Sequence, residues 1–318
     1  MDDSPANLPQ QPPPPGGRPP EPCGFLVLDK PAGLTSHACV GRVRRAYGLR
    51  RVGHGGTLDP AVTGVLPIAI GAATRLLPYL PGDKGYVGVV QLGLTTSSDD
   101  LEGEELERRA VPALAPEQLE LALAALRGPI LQRPPRVSAV HVQGQRAYAL
   151  ARRGEDFELA ERPVTIHRLE LLGWDGERGR LELAVDCSSG TYVRALARDL
   201  GERLGCGGCL AGLRRTTALG FGLDGAVPLE RLESGPPPPL LDPLPALAAL
   251  PRQQLNAEQL LGWRCGRGLA AAAGLAVGSP VAVLDPAGQL AGIGLAAPAG
   301  EAGGEAWLRP KLVLQASG

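Results

Sequence analysis

One aspartate stands where this chain could hold a reactive carboxylate. Asp59 lies in Gly53-His54-Gly55-Gly56-Thr57-Leu58-Asp59-Pro60-Ala61-Val62-Thr63-Gly64-Val65-Leu66, behind three glycines and ahead of a proline. Glycines let the backbone turn sharply and let a ligand come close. Pro60 fixes its own φ and biases Asp59 towards an extended conformation. The pattern predicts a shaped loop running into a buried strand over Gly64–Gly71. Such a loop on a rigid strand is a common seat for a catalytic side chain. An isolated Asp-Pro more often only starts a turn, so the company Asp59 keeps has to decide. Tyr86 opens an alternating stretch, Lys84 to Leu92; a tyrosine there usually packs, with its hydroxyl at the edge. Arg194 falls in the first turn of a helical stretch, where the helix dipole disfavours a cation and an arginine is often just exposed.

Taken together, these stretches resemble the TruB family of tRNA pseudouridine-55 synthases. The resemblance rests on Asp29-Lys30-Pro31-Ala32-Gly33-Leu34-Thr35-Ser36, on the Asp59 loop, and on Lys84-Gly85-Tyr86. It continues through Pro134-Pro135-Arg136-Val137-Ser138-Ala139, Tyr148 to Gly154, Gly190-Thr191-Tyr192-Val193-Arg194 and Leu213-Arg214-Arg215-Thr216. It covers residues 24–232. Val62 stands where the family usually has alanine, Gly55 where alanine or threonine is more common, and Gly208-Cys209 where Ala-His often stands. None of these touches the carboxylate.

The resemblance implies that Asp59 is the nucleophile and that Arg194 pairs with it, keeping it ionised and aimed, as an adjacent cation does for a carboxylate. It implies that Tyr86 stacks on the base and moves a proton, that His54 fills the place a flipped base vacates, and that Tyr192 and Leu213 line the pocket. A lone histidine is more often structural. Lys30 is read as a substrate contact, with a place in the core as the alternative. The implied reaction isomerises uridine to pseudouridine at position 55, in the T-loop of tRNA. The target base must leave its stack to be reached. No net redox change occurs and no water is consumed, so no cofactor is expected. The absence of a dinucleotide motif or P-loop agrees with that.

The elements that must position these residues follow from pattern. Gly24–Asp29 reads as a strand, and Ser36 as the N-cap of a helix from His37 to Tyr47. Thr95–Glu107 reads as an acidic loop and Pro116–Arg127 as an amphipathic helix. Gln132–Gly154 suits a strand-and-helix arm on RNA phosphates. Val164–Trp174 and Arg180–Cys187 read as strands. A helix then reaches Leu204, with Val193, Leu196, Ala197, Leu200 and Leu204 on one face. The fold class that the resemblance implies is α+β: a mixed, mainly antiparallel sheet in a catalytic domain of the pseudouridine synthase fold, with a small C-terminal PUA-like β domain. The expected divisions are a disordered Pro-rich tail over 1–22, the catalytic domain over 23–233, a linker over 234–250, and the RNA-binding module over 251–318. In that module, helix Asn256–Cys265 precedes short strands near 281–284, 290–295, 306–308 and 312–314.

The 318 residues carry a net charge of only −1, but the charge is segregated. Residues 42–51 hold five arginines and no acid, 127–153 hold six arginines and no acid, and 99–107 hold six acids and no base. Charge runs usually mark solvated faces, yet two acid-free arginine runs favour a polyanionic partner. The partner that the resemblance implies is tRNA, through its T-arm stem-loop; the protein is expected to be a monomer needing no other protein. The six cysteines, with no secretory signal and no apolar run of membrane-spanning length, point to a reducing cytoplasm. Cys206-Gly-Gly-Cys209 has ligand spacing but no second pair, a weak zinc signal, and no metal is expected. Two rival readings stay open: a tRNA-binding or tRNA-folding protein without catalysis, and a carboxylate-based nucleoside hydrolase that would release uracil.

Overall fold

The computed structural model describes residues 21–298 and 306–314. They fall into two compact units, one over Gly24–Pro251 and one beginning at Arg252. The tail expected to be disordered over 1–22 lies, up to residue 20, outside the described residues.

The larger unit opens with β1 (Gly24–Lys30), α1 (Ser36–Tyr47), β2 (Val52–His54), β3 (Thr63–Ile70) and β4 (Lys84–Leu92). A hairpin of β5 (Leu94–Thr96) and β6 (Glu105–Arg108), then α2 (Pro116–Ala124) and β7 (Gly128–Gln132), follow. The arm is the short pair β8 (His141–Val142) and β9 (Gln145–Arg146) with α3 (Ala147–Arg152). The unit continues with β10 (Arg162–Asp175), β11 (Arg180–Cys187), α4 (Val193–Arg203), β12 (Gly208–Ala218), β13 (Phe221–Gly222) and β14 (Val227–Pro228). One sheet of ten strands has the order β14-β1-β3-β12-β4-β11-β10-β7, with β2 beside β3 and β13 beside β12. Within it β1–β14 and β3–β12 run parallel, and the other pairs are antiparallel. This is the mixed, mainly antiparallel sheet that the resemblance implies.

Helices cover one face of the sheet. Cys39, Val40 and Val43 of α1, Leu119 and Leu123 of α2, and Val193, Leu196, Ala197 and Leu200 of α4 share one core with Leu26, Leu28, Leu66, Ile68 and Ile70 of the strands. The α4 residues recur at i, i+3, i+4 and i+7, the spacing of a single buried stripe. β3 is buried along nearly its whole length, as its unbroken run of small and apolar residues requires.

Three local expectations change. Thr35, not Ser36, caps α1, accepting from the Ala38 amide at 3.0 Å; Ser36 is drawn inside by the Asp59 loop. The acidic stretch 95–107 is a β5–β6 hairpin rather than a plain loop: Glu102, Glu104, Glu105 and Glu107 stay exposed, but Asp99 and Asp100 in its turn face arginines on α4. Residues 234–250 are held on the larger unit. Leu241 and Phe25 exchange backbone hydrogen bonds at 2.7 and 3.0 Å, the Tyr47 hydroxyl donates to the Pro238 carbonyl, and Leu247 is buried. The leucines of this stretch give it apolar surface to bury, which a free linker lacks.

The C-terminal unit is a five-stranded sheet of order β15-β17-β18-β19-β16, from β15 (Arg252–Gln254), β16 (Leu269–Ala270), β17 (Pro280–Leu284), β18 (Leu290–Ala297) and β19 (Trp307–Val313). Helix α5 (Ala257–Arg264) places Trp263 in its core among Leu255, Val281, Val283 and Leu308. The two strands expected over 306–308 and 312–314 are one strand. A curled sheet of this size is consistent with the PUA-like module expected here. Among the described residues no helix is long and apolar enough to cross a membrane.

Candidate active site

The Asp59 loop is held by its carbonyls. Arg215, fully buried on β12, donates to the carbonyls of Val65 at 2.7 Å, Gly56 at 3.2 Å and Thr57 at 3.4 Å. The buried Ser36 hydroxyl donates to the Leu58 carbonyl at 3.1 Å and accepts from the Leu58 amide at 2.8 Å. Lys30, also fully buried, donates to the carbonyls of Pro60 at 3.0 Å, Leu34 at 2.7 Å and Pro31 at 2.8 Å. A buried ammonium or guanidinium tolerates burial only when its donors are met, and here the loop backbone meets them. Thus 56, 57, 58 and 60 are all fixed through main-chain oxygen, and the Asp59 side chain is left 46 % exposed.

Two glycines make this clamp feasible. Gly64 has φ 103°, and a Cβ there would lie 2.2 Å from the Arg215 carbonyl oxygen. Only glycine lets β3 come this close to β12 in the parallel register Arg215↔Gly64. Gly56 has φ 121° and turns the loop over the Arg215 guanidinium.

Arg194, the second residue of α4, faces Asp59. Its Nη2 lies 3.1 Å from Asp59 Oδ2 and its Nη1 lies 3.3 Å from Asp100 Oδ2, with the arginine side chain only 10 % exposed. The same two nitrogens donate to the carbonyls of Ser98 and Val137, each at 3.0 Å. Four oxygens around one planar fork offset the unfavourable placing of a cation at a helix N-terminus. Gln132, buried beside the helix start, accepts from the Tyr192 amide at 2.9 Å and donates to the Tyr192 carbonyl at 3.2 Å, which fixes the backbone just before Arg194.

Tyr86 stands on β4, opposite Arg215 in the β12–β4 register. Strand order β3-β12-β4 therefore brings the end of the Asp59 loop, Arg215 and Tyr86 onto three neighbouring strands. Burial raises the pKa of its phenol, while the neighbouring Arg215 guanidinium opposes that rise and the charge of Asp59 adds to it. Tyr86 is thus a protonated hydroxyl at neutral pH. His54 ends β2 at the start of the loop. Its pKa is lowered by burial, then by Arg215 and His37, so its ring is neutral above ordinary histidine pKa values. Its Nδ1 is buried with no hydrogen-bond partner among the described residues.

The structure therefore brings Asp59, Arg194 and Tyr86 together, with His54 at the loop's entry. Leu213 lies two residues before Arg215 on the same strand, opposite Gly88. Tyr192 packs against Val140, Ala147 and Leu159 of the arm, and so ties the arm to the start of α4. Lys30 corrects the expectation of a substrate contact: its amine is enclosed by carbonyls beneath the loop, so it is a clamp. The parts that Arg215, Asp100 and Ser36 play at the site were not read from the sequence, although Ser36 and Arg215 lie in stretches that carry the resemblance. Arg215 carried a signal, since strand alternation buries one of two successive arginines, Arg214 and Arg215. Arg214 faces outward and pairs with Asp29 at 2.7 Å.

The arginine runs are partly neutralised at the surface. Arg42 meets Glu233, Arg136 meets Asp156, and Arg153 meets Glu155. Exposed pairs of this kind are worth little and open readily to another anion. Cys206 and Cys209 are both buried, and the Cys209 thiol is pushed up to about 11 by burial. Among the described residues no three side chains from His, Cys, Asp and Glu gather where they could hold a metal ion.

Residues 44–193 match the family model described as TruB family pseudouridylate synthase (N terminal domain). A tRNA pseudouridine synthase B of Parasynechococcus marenigrum is 62 % identical over 297 residues, spanning 93 % of this chain and 99 % of the relative. A protein of the same name from a Synechococcus strain is 59 % identical over 304 residues, with the same shares of each chain, 93 % and 99 %. Among solved structures, a chain in an H/ACA RNP bound to a substrate RNA containing 2′-deoxyuridine has a TM-score of 0.68 at 24 % identity. The match covers 91 % of this chain and 84 % of that one, a likeness of fold.

Proposed function

The chain belongs to the TruB family of pseudouridylate synthases, and we propose that it converts uridine 55 in the T-loop of tRNA to pseudouridine, with Asp59 as the reacting carboxylate. The enzyme is a tRNA pseudouridine synthase; the position in the T-loop and the roles of individual residues are the parts proposed. In the reaction the N1–C1′ bond breaks, C5 bonds to C1′, C5 loses its proton and N1 gains one. Atoms and electrons balance without an added reactant. Asp59 acts on the flipped nucleotide as the glycosidic bond breaks, and Arg194 holds that carboxylate charged and in one orientation. Tyr86 packs on the base and offers a protonated hydroxyl beside it. His54, neutral and next to the loop, occupies the stack where the base was. Tyr192 and Leu213 border the pocket. The arginines of 42–51 and 127–153 contact T-arm phosphates, which position the RNA without reading its sequence. The protein acts on the T-arm stem-loop as a monomer, in the cytoplasm.

The observation that carries the proposal is the 3.1 Å Arg194–Asp59 pair on a loop fixed through its carbonyls. A binding protein has no need to immobilise a half-exposed carboxylate in this way. A hydrolase needs a second carboxylate to activate water; Asp100, which shares Arg194 with Asp59, is already engaged by Arg194 and by Ser98. Incubation with unmodified tRNA transcript, followed by carbodiimide labelling and primer extension, tests the reading. The expected result is one new stop at position 55 with no free uracil. Tight binding with no stop would establish the non-catalytic reading, and released uracil the hydrolytic one.

A further inference from the structure

Arg194 and Arg198 are one helical turn apart on α4, so their side chains lie on the same face. Three consecutive residues of the β5–β6 turn run along that face. Ser98 and Asp100 turn to Arg194: the Ser98 carbonyl accepts from Nη1 at 3.0 Å and the Asp100 carboxylate lies 3.3 Å from it. Asp99 points the other way, to Arg198, at 2.8 Å. This second pair is mostly enclosed, the two side chains being 16 % and 20 % exposed. Arg198 is itself fixed, donating to Asp199 at 2.7 Å and to the Arg133 carbonyl at 2.8 Å.

Asp99 takes a left-handed conformation, φ 60°. That backbone is uncommon for a residue other than glycine and is tolerated best by Asn and Asp. In this turn the Ser98 carbonyl and the Asp100 carboxylate are presented to Arg194, and the Asp99 carboxylate to Arg198. The turn is also tied to β12, the Leu210 amide donating to the Asp99 carbonyl at 2.9 Å and the Leu101 amide to the Leu210 carbonyl at 3.2 Å. Without Arg198, the Asp99 carboxylate would be poorly paired next to Asp100 and Asp199, and the left-handed turn would lose the contact that offsets its cost.

We propose that Asp99 and Arg198 are positioning residues for the reaction: their ion pair fixes the turn whose Ser98 carbonyl and Asp100 carboxylate hold Arg194 in register with Asp59. The pair touches no substrate and acts only through Arg194. The inference rests on the proposed role of the Arg194–Asp59 pair.

The test is Asp99→Asn in the full-length protein, with Arg198→Gln approaching the same pair from the helix. Asparagine keeps the left-handed backbone and the side-chain shape but removes the charge. Single-turnover pseudouridine formation on tRNA transcript should fall about ten- to a hundredfold, the scale of an ångström-level misplacement, while Kd for the tRNA stays within about twofold. In an Arg194→Lys background, Asp99→Asn should change the rate by less than about threefold, because the part it positions is already gone. Asp99→Gly, which accepts φ 60° with less strain, separates charge from backbone and should be as slow as Asp99→Asn. A wild-type rate in folded Asp99→Asn or Arg198→Gln overturns the inference, as does a loss that simply adds to that of Arg194→Lys. Wild-type protein that forms no pseudouridine would overturn the proposed function itself, and this inference with it.

Discussion

Replacing Arg194 with lysine keeps the charge and removes the geometry. The guanidinium serves Asp59, Asp100 and the carbonyls of Ser98 and Val137 from two nitrogens at 3.0 to 3.3 Å. An ammonium at the same place is a single point with three donors, about one bond length short of the fork. It can stay near one carboxylate but cannot span both. At least two contacts are lost, each of the charge-assisted kind worth about 1.5–3 kcal/mol. Part of that loss falls on the folded state, where the buried Ser98 carbonyl and the part-buried Val137 carbonyl compete for fewer donors. If about 3 kcal/mol of it appears in the transition state, turnover drops roughly a hundredfold. The assay is single-turnover release of tritium from tRNA labelled at uridine C5, since the reaction removes that hydrogen. Parallel filter binding should give a Kd within about threefold of wild type, because Arg194 is enclosed and not a phosphate contact. A folded Arg194→Lys protein that releases tritium at the wild-type rate would refute the reasoning and reduce Arg194 to a structural ion pair.

Other outcomes follow from the same geometry. Burial, Arg215 and His37 all depress the His54 pKa, so the unfolded chain takes up a proton at His54 more readily than the fold does. Stability from this group is fully present above about pH 6.5 and is lost as pH falls from there towards the lower folded pKa; His54→Gln should flatten that part of a urea-melt pH profile, and an unchanged slope would contradict the assignment. Lys30→Met should lower the melting midpoint and the turnover rate together while leaving the salt dependence of tRNA binding unchanged; a salt slope reduced by about one would restore Lys30 as a phosphate contact. A fragment cut after Pro251 should melt cooperatively and modify an isolated T-arm hairpin, with a raised apparent KM on whole tRNA. Cutting at Glu233 should instead destabilise the fragment, because 238–247 pack on the sheet; equal stability of the two fragments would show that packing to be dispensable.

How much of this was legible in the sequence depends on range. The Asp59 loop was legible because its glycines and Pro60 are local signals, and a long motif fixes their order. The buried strand β3 and the stripe of α4 were legible as periodicity. The partners of buried cations were not. Lys30 lies in a run that reads equally as a substrate contact or a core residue, and the carbonyl of Pro60, thirty residues away, decides it. Arg215 is chosen over Arg214 by β12 lying between β3 and β4, a fact of sheet order that no local pattern carries. Within the acidic run 99–107, Asp99 and Asp100 read as solvated like the glutamates after them, because their counter-charges, Arg198 and Arg194, are nearly a hundred residues on. Thr35 and Ser36 are both good caps by type; the Leu58 backbone took Ser36 and left Thr35 to the helix.

The most direct test of the central claim is Asp59→Asn, assayed on unmodified tRNA under single-turnover conditions with enzyme in excess. The side chain keeps its size, and one oxygen remains to face Arg194. The account predicts tRNA binding within a few-fold of wild type, a cooperative melt, and no pseudouridine at position 55 after many wild-type turnover times. Substantial pseudouridine formation by the folded variant would contradict it, since the chemistry would then not depend on the Asp59 carboxylate.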